Sequence, residues 1–229
     1  MSLSHVREAF DRFAAIDAAR DRGLGPHERA LLGTLPKRLG IALDVGCGAG
    51  AVSRALTRRA ERVVGVDVST ETLALARRRS ASFAGLSFLL GDALSLPFRD
   101  GAFDCVVSVA VLHHLEAERA LAEWVRVLRP GGSLLVIDVL ERPGLRHLPK
   151  NALAWLAKQA SDLARDRSLG TLRARRAFWR EHAHGERHPT MAEARRAYEP
   201  LLAGAAINEH LLWRYSICWR RPAGPVEGR

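Results

Sequence analysis

The chain has 229 residues, 48% of them hydrophobic and 26% charged, which suits one soluble domain carrying at most an insertion. Its longest apolar run, Cys105 to Leu112, is broken by Ser108 and is too short to cross a bilayer, and Arg7, Glu8, Asp11 and Arg12 stand where an export signal needs an apolar core. The three cysteines, Cys47, Cys105 and Cys218, are odd in number and far apart, so neither a disulfide frame nor a cysteine zinc site is expected, and a reducing cytoplasm fits.

The formal net charge of +10 is unevenly spread: residues 1–140 carry +2 and residues 141–229 carry +8. A basic lobe attracts phosphate, whether in nucleic acid, a metabolite or an anionic membrane. The simpler reading is a coding bias towards arginine, since the only lysines are Lys37, Lys150 and Lys158.

Residues 1–40 read as a helical cap. Phe10, Phe13 and Ile16 fall at helical spacing, Gly23, Gly25 and Pro26 end that stretch, and a second helix is expected over 27–35. Apolar runs at 41–46, 62–67, 86–90, 103–112 and 133–140 then alternate with helical patterns at 50–60, 69–82 and 116–129. In the last of these, Leu121, Trp124, Val125 and Leu128 make one helix face. Strands apolar nearly throughout and alternating with helices define a parallel sheet covered on both sides. Residues 143–203 break the rhythm with successive helices near 149–165, 171–183 and 191–202, the last opened by a capping box, Thr190 to Glu193. Strands are expected over 205–212 and 213–220, and the tail from Pro222 frays.

The sharpest local pattern is Leu43-Asp44-Val45-Gly46-Cys47-Gly48-Ala49-Gly50, at the turn from the first strand into a helix. Glycines there accept positive φ and let a ligand come close to the backbone. Open parallel sheets bind ligands at the carboxyl ends of their strands. The second strand ends in Asp67, 23 residues after Asp44, and a carboxylate there accepts both hydroxyls of a ribose. Gly46, Gly48 and Ala51 also satisfy the dinucleotide fingerprint. Asp44 argues against that reading, because a carboxylate beside the glycine turn repels a pyrophosphate and attracts an ammonium and a sulfonium.

Four segments in order, LDVGCGAG at 43–50, VVGVD at 63–67, GDALSLPFRDGAFDCVVSVAVLHHL at 91–115 and RVLRPGGSLLV at 126–136, resemble the class I methyltransferases that use S-adenosylmethionine. The resemblance is to the broad group that includes the quinone-biosynthesis methyltransferases, and HLLWRYSICWRRP at 210–222 resembles that group's final strand pair. It implies an α/β fold: a Rossmann-like, seven-stranded, mostly parallel sheet with helices on both faces, an antiparallel last strand and a helical insertion after the fifth strand. A single domain is implied, with a cap over 1–40, a cofactor-binding core over 41–140, a lid over 143–203 and a strand pair over 204–221. The resemblance further implies that Asp44, with backbone groups of Val45, Gly46, Cys47 and Gly48, holds the methionine part of the cofactor. Asp67 is then expected on the ribose, Val68 against the adenine, Asp92 and Ala93 on the adenine edge, and Val109 at the methionine end. Arg129-Pro130-Gly131-Gly132 is expected as a structural turn before the fifth strand. Many relatives carry a tyrosine in the N-terminal helix; here Phe10 and Phe13 are the candidates, as cover for the site or as plain core.

Methyl transfer asks mainly for alignment and exclusion of water; alignment alone is worth roughly 7–11 kcal/mol in favourable cases. Histidine is the natural base near neutral pH, and His114, ahead of His113, is the candidate beside the methyl; helix capping or packing at the sheet edge is the bland alternative for the pair. Trp155, Trp179 and His182 in the insertion are candidates for an acceptor pocket, against a role as the insertion's own core. No spacing typical of a metal site is present, so none is expected. The expected activity is methylation of a small molecule at oxygen, nitrogen or carbon, with S-adenosylhomocysteine as product. The alternatives are methylation of tRNA through the basic lobe, a non-catalytic cofactor-binding partner, and a nicotinamide dehydrogenase.

Overall fold

The computed structural model describes residues 3–18, 21, 23–141 and 188–223 and, between 142 and 187, only positions 152, 155, 156, 170, 173, 174, 177 and 178. Seven strands form one sheet in the order β3-β2-β1-β4-β5-β7-β6. β1 (Leu39–Val45), β2 (Ala60–Asp67), β3 (Leu86–Leu90), β4 (Phe103–Val109) and β5 (Leu128–Val139) run parallel. β7 (Arg214–Arg220) is antiparallel both to β5 and to β6 (Ala206–His210), as expected for the last strand. Chain order reverses between β1 and β4, so the crevice beyond their carboxyl ends is where such a sheet takes a ligand.

Burial explains the strand sequences. β4 lies between β1 and β5, six of its seven residues are buried, and the run Cys105-Val106-Val107 leaves almost no polar atom to desolvate. On one face, α5 (Ala117–Val127) presents the expected stripe: Leu121 and Trp124 are fully buried against Val45, Phe103, Val106 and Leu134. On the other, Leu31 and Leu32 of α2 (Pro26–Gly33) and Leu56 of α3 (Ala51–Leu56) pack on Ala42, Val63, Val107 and Ile137. α1 (Leu3–Asp17) lies along α4 (Thr70–Arg79), tied there by Asp11, whose Oδ1 accepts from Ser69 Oγ at 2.6 Å. Ser69 also caps α4 by accepting from Thr72 N at 3.0 Å.

Three expectations shift in detail. The helix expected over 50–60 ends at Leu56, because Ala60 is already paired with Leu39 in the ladder. β5 begins at Leu128, not after the Arg129–Gly132 turn: Leu128 pairs with Phe103, and pairing resumes only at Ser133 with Cys105. The turn is therefore an excursion within a strand, with Gly131 at φ +75° and its amide bonded to Arg221 O. Its role is structural: Arg221 N in turn donates to Gly132 O, anchoring the chain beyond β7. Finally, the helix expected over 191–202 is α6 (Met191–Tyr198), opened by the full Thr190–Glu193 capping box. Its residues Ala194 and Tyr198, with Leu202 after it, are buried with Tyr215 and Ile217 in the core, where they cover β6 and β7. The helices expected near 149–165 and 171–183 lie largely outside the described residues.

Candidate active site

The crevice is floored by the β1–α3 loop. Asp44 is 1% exposed, and Ser53 Oγ donates to its Oδ2 at 2.5 Å. Burial, with a smaller contribution from the Asp67 charge, raises its carboxyl from 3.8 to about 7, against the Ser53 hydrogen bond that lowers it. A carboxyl so poised takes either a proton or a cation. The loop's amides are already committed: Gly46 N and Cys47 N both donate to Val66 O, Gly48 N to Asp67 Oδ2 at 2.9 Å, and Gly50 N to Cys47 O. A pyrophosphate would find few free donors there and a carboxylate beside it, which turns the dinucleotide reading away.

Around this floor the expected residues assemble unequally. Val45 is fully buried in the core, and its carbonyl accepts from Ser108 Oγ. Cys47 is buried, and burial pushes its thiol up. Asp67, ending β2, also accepts from Ser69 N at 2.9 Å; burial raises its carboxyl above the usual carboxylate range. Val68 follows, half-buried. In the β3–β4 loop Asp92 Oδ1 accepts from Leu94 N at 2.8 Å, and Ala93 O accepts from Trp124 Nε1 at 3.0 Å, so α5 fixes the position of that loop. Val109, the last residue of β4, lines a cavity of about 280 Å³ together with Asp44, Gly46, Gly48, Glu28 and Asp21. At Gly46 (φ +67°) a Cβ would lie 2.2 Å from Val111 Cγ2, whereas at Gly48 (φ +51°) it would meet nothing, an open cradle at the loop.

Beyond β4 a 3-10 turn, Leu112–His114, carries both candidate histidines. His113 is held by Asp138 of β5: its ring Nδ1 lies 2.5 Å from Oδ1 and its backbone N donates to Oδ2 at 2.9 Å. Asp138 is fully buried and also accepts from Val139 N. His114 packs against His113 with the rings tilted by 44° and their centroids 3.8 Å apart, and it meets the edge of Phe10 at 5.7 Å; His188 meets His113 at 5.1 Å. Phe13 packs against Phe178 at 4.7 Å. Trp155 is 45% exposed and lines neither the cavity at Asp44 nor the larger one at the amino-terminal half of the sheet. Trp179 and His182 lie outside the described residues. Sequence reasoning missed Asp138, His188, Ser53 and Glu28. Asp138 had a signal, a carboxylate inside the apolar run Leu134-Leu135-Val136-Ile137, where a charge is costly unless paired.

A larger cavity, about 590 Å³, lies at the amino-terminal half of the sheet among Ile41, Val64, Leu86, Phe98 and Phe103. It has no carboxylate and sits away from the glycine loop, so the chemistry is not placed there.

Residues 43–136 match the methyltransferase-domain family. The chain is 33% identical over 201 residues to an uncharacterised methyltransferase of Mycobacterium tuberculosis, covering 86% of this chain and 95% of the relative. It is 36% identical over 137 residues to the demethylmenaquinone methyltransferase of Thermobifida fusca, covering 53% and 56%. Its fold matches a Haloferax volcanii methyltransferase solved in complex with the Trm112 methyltransferase activator, with a TM-score of 0.67 at 22% identity over 95% and 97% of the two chains. The chain belongs to the class I S-adenosylmethionine-dependent methyltransferases. S-Adenosylmethionine is its cofactor, and the donor set suits it: a buried carboxylate for a cation at one strand end and a second for a ribose at the next. Among the described residues no helix is long and apolar enough to cross a membrane.

Proposed function

We propose that the chain methylates a small molecule bearing an ionisable hydroxyl, such as a hydroquinone or phenol, and that His113 is the base. The observation that carries this reading is the buried Asp138 carboxylate on His113 Nδ1. With Nδ1–H donating to Asp138, the lone pair lies on Nε2, which takes the hydroxyl proton of the acceptor; Asp138 then stabilises the imidazolium. This geometry favours His113 over His114 as the base: His114 packs between His113 and Phe10 and forms wall rather than relay. S-Adenosylmethionine supplies a methyl already activated by its positive sulfur.

The same reading gives the remaining residues their roles. Asp44 attracts the cationic methionine end, Asp67 accepts the ribose hydroxyls, and Asp92 with the Ala93 amide reads the adenine edge. Val68 and Val109 supply apolar contact. Phe10 and Phe13 on α1, the latter joined to Phe178 of the insertion, exclude water from above. The similarity to a demethylmenaquinone methyltransferase supports a small hydroxylated acceptor over tRNA. The experiment is transfer of labelled methyl from S-adenosylmethionine to reduced demethylmenaquinone by the purified chain. A labelled product extractable into organic solvent is expected. Bound S-adenosylhomocysteine without any transfer to this or simpler hydroquinones would overturn the acceptor assignment.

A further inference from the structure

The cavity beside the glycine loop has two walls. The core wall carries Asp44, Gly46, Gly48 and Val109; the other wall comes from the α1–α2 linker and the start of α2, with Asp21, Gly23, Leu24, Gly25 and Glu28. Its acids differ in what they already hold. Asp21 is spent on Arg54, whose Nη2 reaches both carboxylate oxygens at 2.7 Å. Arg54 also donates to Ala49 O at 2.9 Å, so this ion pair clasps the linker directly onto the glycine loop. Asp44 accepts from Ser53. Glu28 is half-buried, and among the described residues its carboxylate has neither a hydrogen bond nor an ion pair. It folds back over Gly25: a Cβ there would lie 2.2 Å from Oε2, so the absence of a side chain at that position is what admits the carboxylate. Arg79 lines the same cavity and brings a positive charge to it.

A cavity with carboxylates on both walls and a guanidinium suits an α-amino acid zwitterion better than any other part of the cofactor. We propose that Glu28 is a cofactor-binding residue which, facing Asp44 across the cavity, receives the ammonium group of the methionine end. The inference rests on the placement of that end at Asp44. An uncommitted carboxylate in a half-buried cavity is costly until a cation arrives, and a charge-assisted hydrogen bond is the means of compensating it. The ordinary alternative is that Glu28 serves only the first turn of α2, where an acid favours the helix dipole. That role adds stability and is blind to the ligand.

The two roles separate by calorimetry with two probes, S-adenosylhomocysteine and 5′-methylthioadenosine, which lacks the amino-acid end. Glu28→Gln is expected to weaken S-adenosylhomocysteine by about ten- to a hundredfold and to leave 5′-methylthioadenosine unchanged. Glu28→Asp, shorter but still charged, is expected to recover part of the loss. Equal weakening of both probes, or no weakening of either, would overturn the proposal. Asp44→Asn distinguishes the levels. If it weakens S-adenosylhomocysteine while Glu28→Gln does not, only the Glu28 role fails. If neither does, the placement of the methionine end fails with it.

Discussion

Asp138 holds His113 twice, through the ring nitrogen at 2.5 Å and through the backbone amide at 2.9 Å. One fully buried carboxylate on β5 thus fixes the backbone of the turn beyond β4 as well as the tautomer of its histidine. The double grip explains why an apolar strand tolerates an acid at its carboxyl end: each oxygen has a donor, so the cost of desolvation is met.

Asp138→Asn tests that relationship. The amide can donate to Nδ1 and impose the opposite tautomer, so turnover with reduced demethylmenaquinone should fall by about a hundredfold or more. S-Adenosylhomocysteine affinity should stay within about twofold, since Asp138 is not among the cavity's lining residues. Single-turnover transfer and calorimetry on the same variant read the split. Parallel losses in both would make Asp138 a folding residue instead.

Cofactor affinity should depend on pH through Asp44. Its carboxyl sits at about 7 in the free protein, and the cationic end of the cofactor prefers the ionised form. Affinity is therefore expected to be flat above pH 7 and to fall towards about tenfold per unit below it. Near pH 7, binding should release a proton, visible as a heat that varies with the ionisation enthalpy of the buffer. A profile level down to about pH 5.5 would rule Asp44 out as the charged partner.

The same group should cost stability when the site is empty. Its folded-state value of about 7 lies above the ordinary 3.8, so the folded chain binds the proton more tightly than the unfolded one. Stability then declines as pH rises between those values, and the penalty is complete above 7. Asp44→Asn removes it while keeping an oxygen for Ser53. The variant should gain on the order of a few kcal/mol at about pH 8, with little change at about pH 4, and lose the cofactor. Urea titration at the two pH values measures the gain; an equal effect at both would point to packing.

Trp124→Phe should damage two things through one bond. Trp124 is fully buried, and its Nε1–H is the donor to Ala93 O. Removing it leaves a carbonyl unpaired and loosens the loop carrying Asp92, at a cost of roughly 1–3 kcal/mol. The midpoint of urea unfolding should drop, and S-adenosylhomocysteine should bind more weakly. An unchanged midpoint would mean that water replaces the indole at no cost.

The family resemblance implied the seven-stranded count and the cofactor; by itself the sequence determined a parallel sheet covered on both faces and a glycine crevice that attracts a cation. Those depend on local signals: apolar runs with the period of buried strands, the α5 stripe around Trp124, and an acid placed two residues before Gly46. The boundaries that moved did so where partners distant in sequence decide them. Leu128 is a strand residue because Phe103 lies beside it, and α6 is core because β6 and β7 need cover. Only the tertiary structure sets two adjacent histidines apart, since the carboxylate that holds His113 lies 25 residues away and reaches it across a strand pairing. Only it, too, brought Glu28 of the N-terminal cap to the cavity of Asp44. Spacing along the chain encodes which face a residue takes within its own element; which charges meet across a crevice depends on how separate elements pack, and a one-dimensional pattern does not carry that.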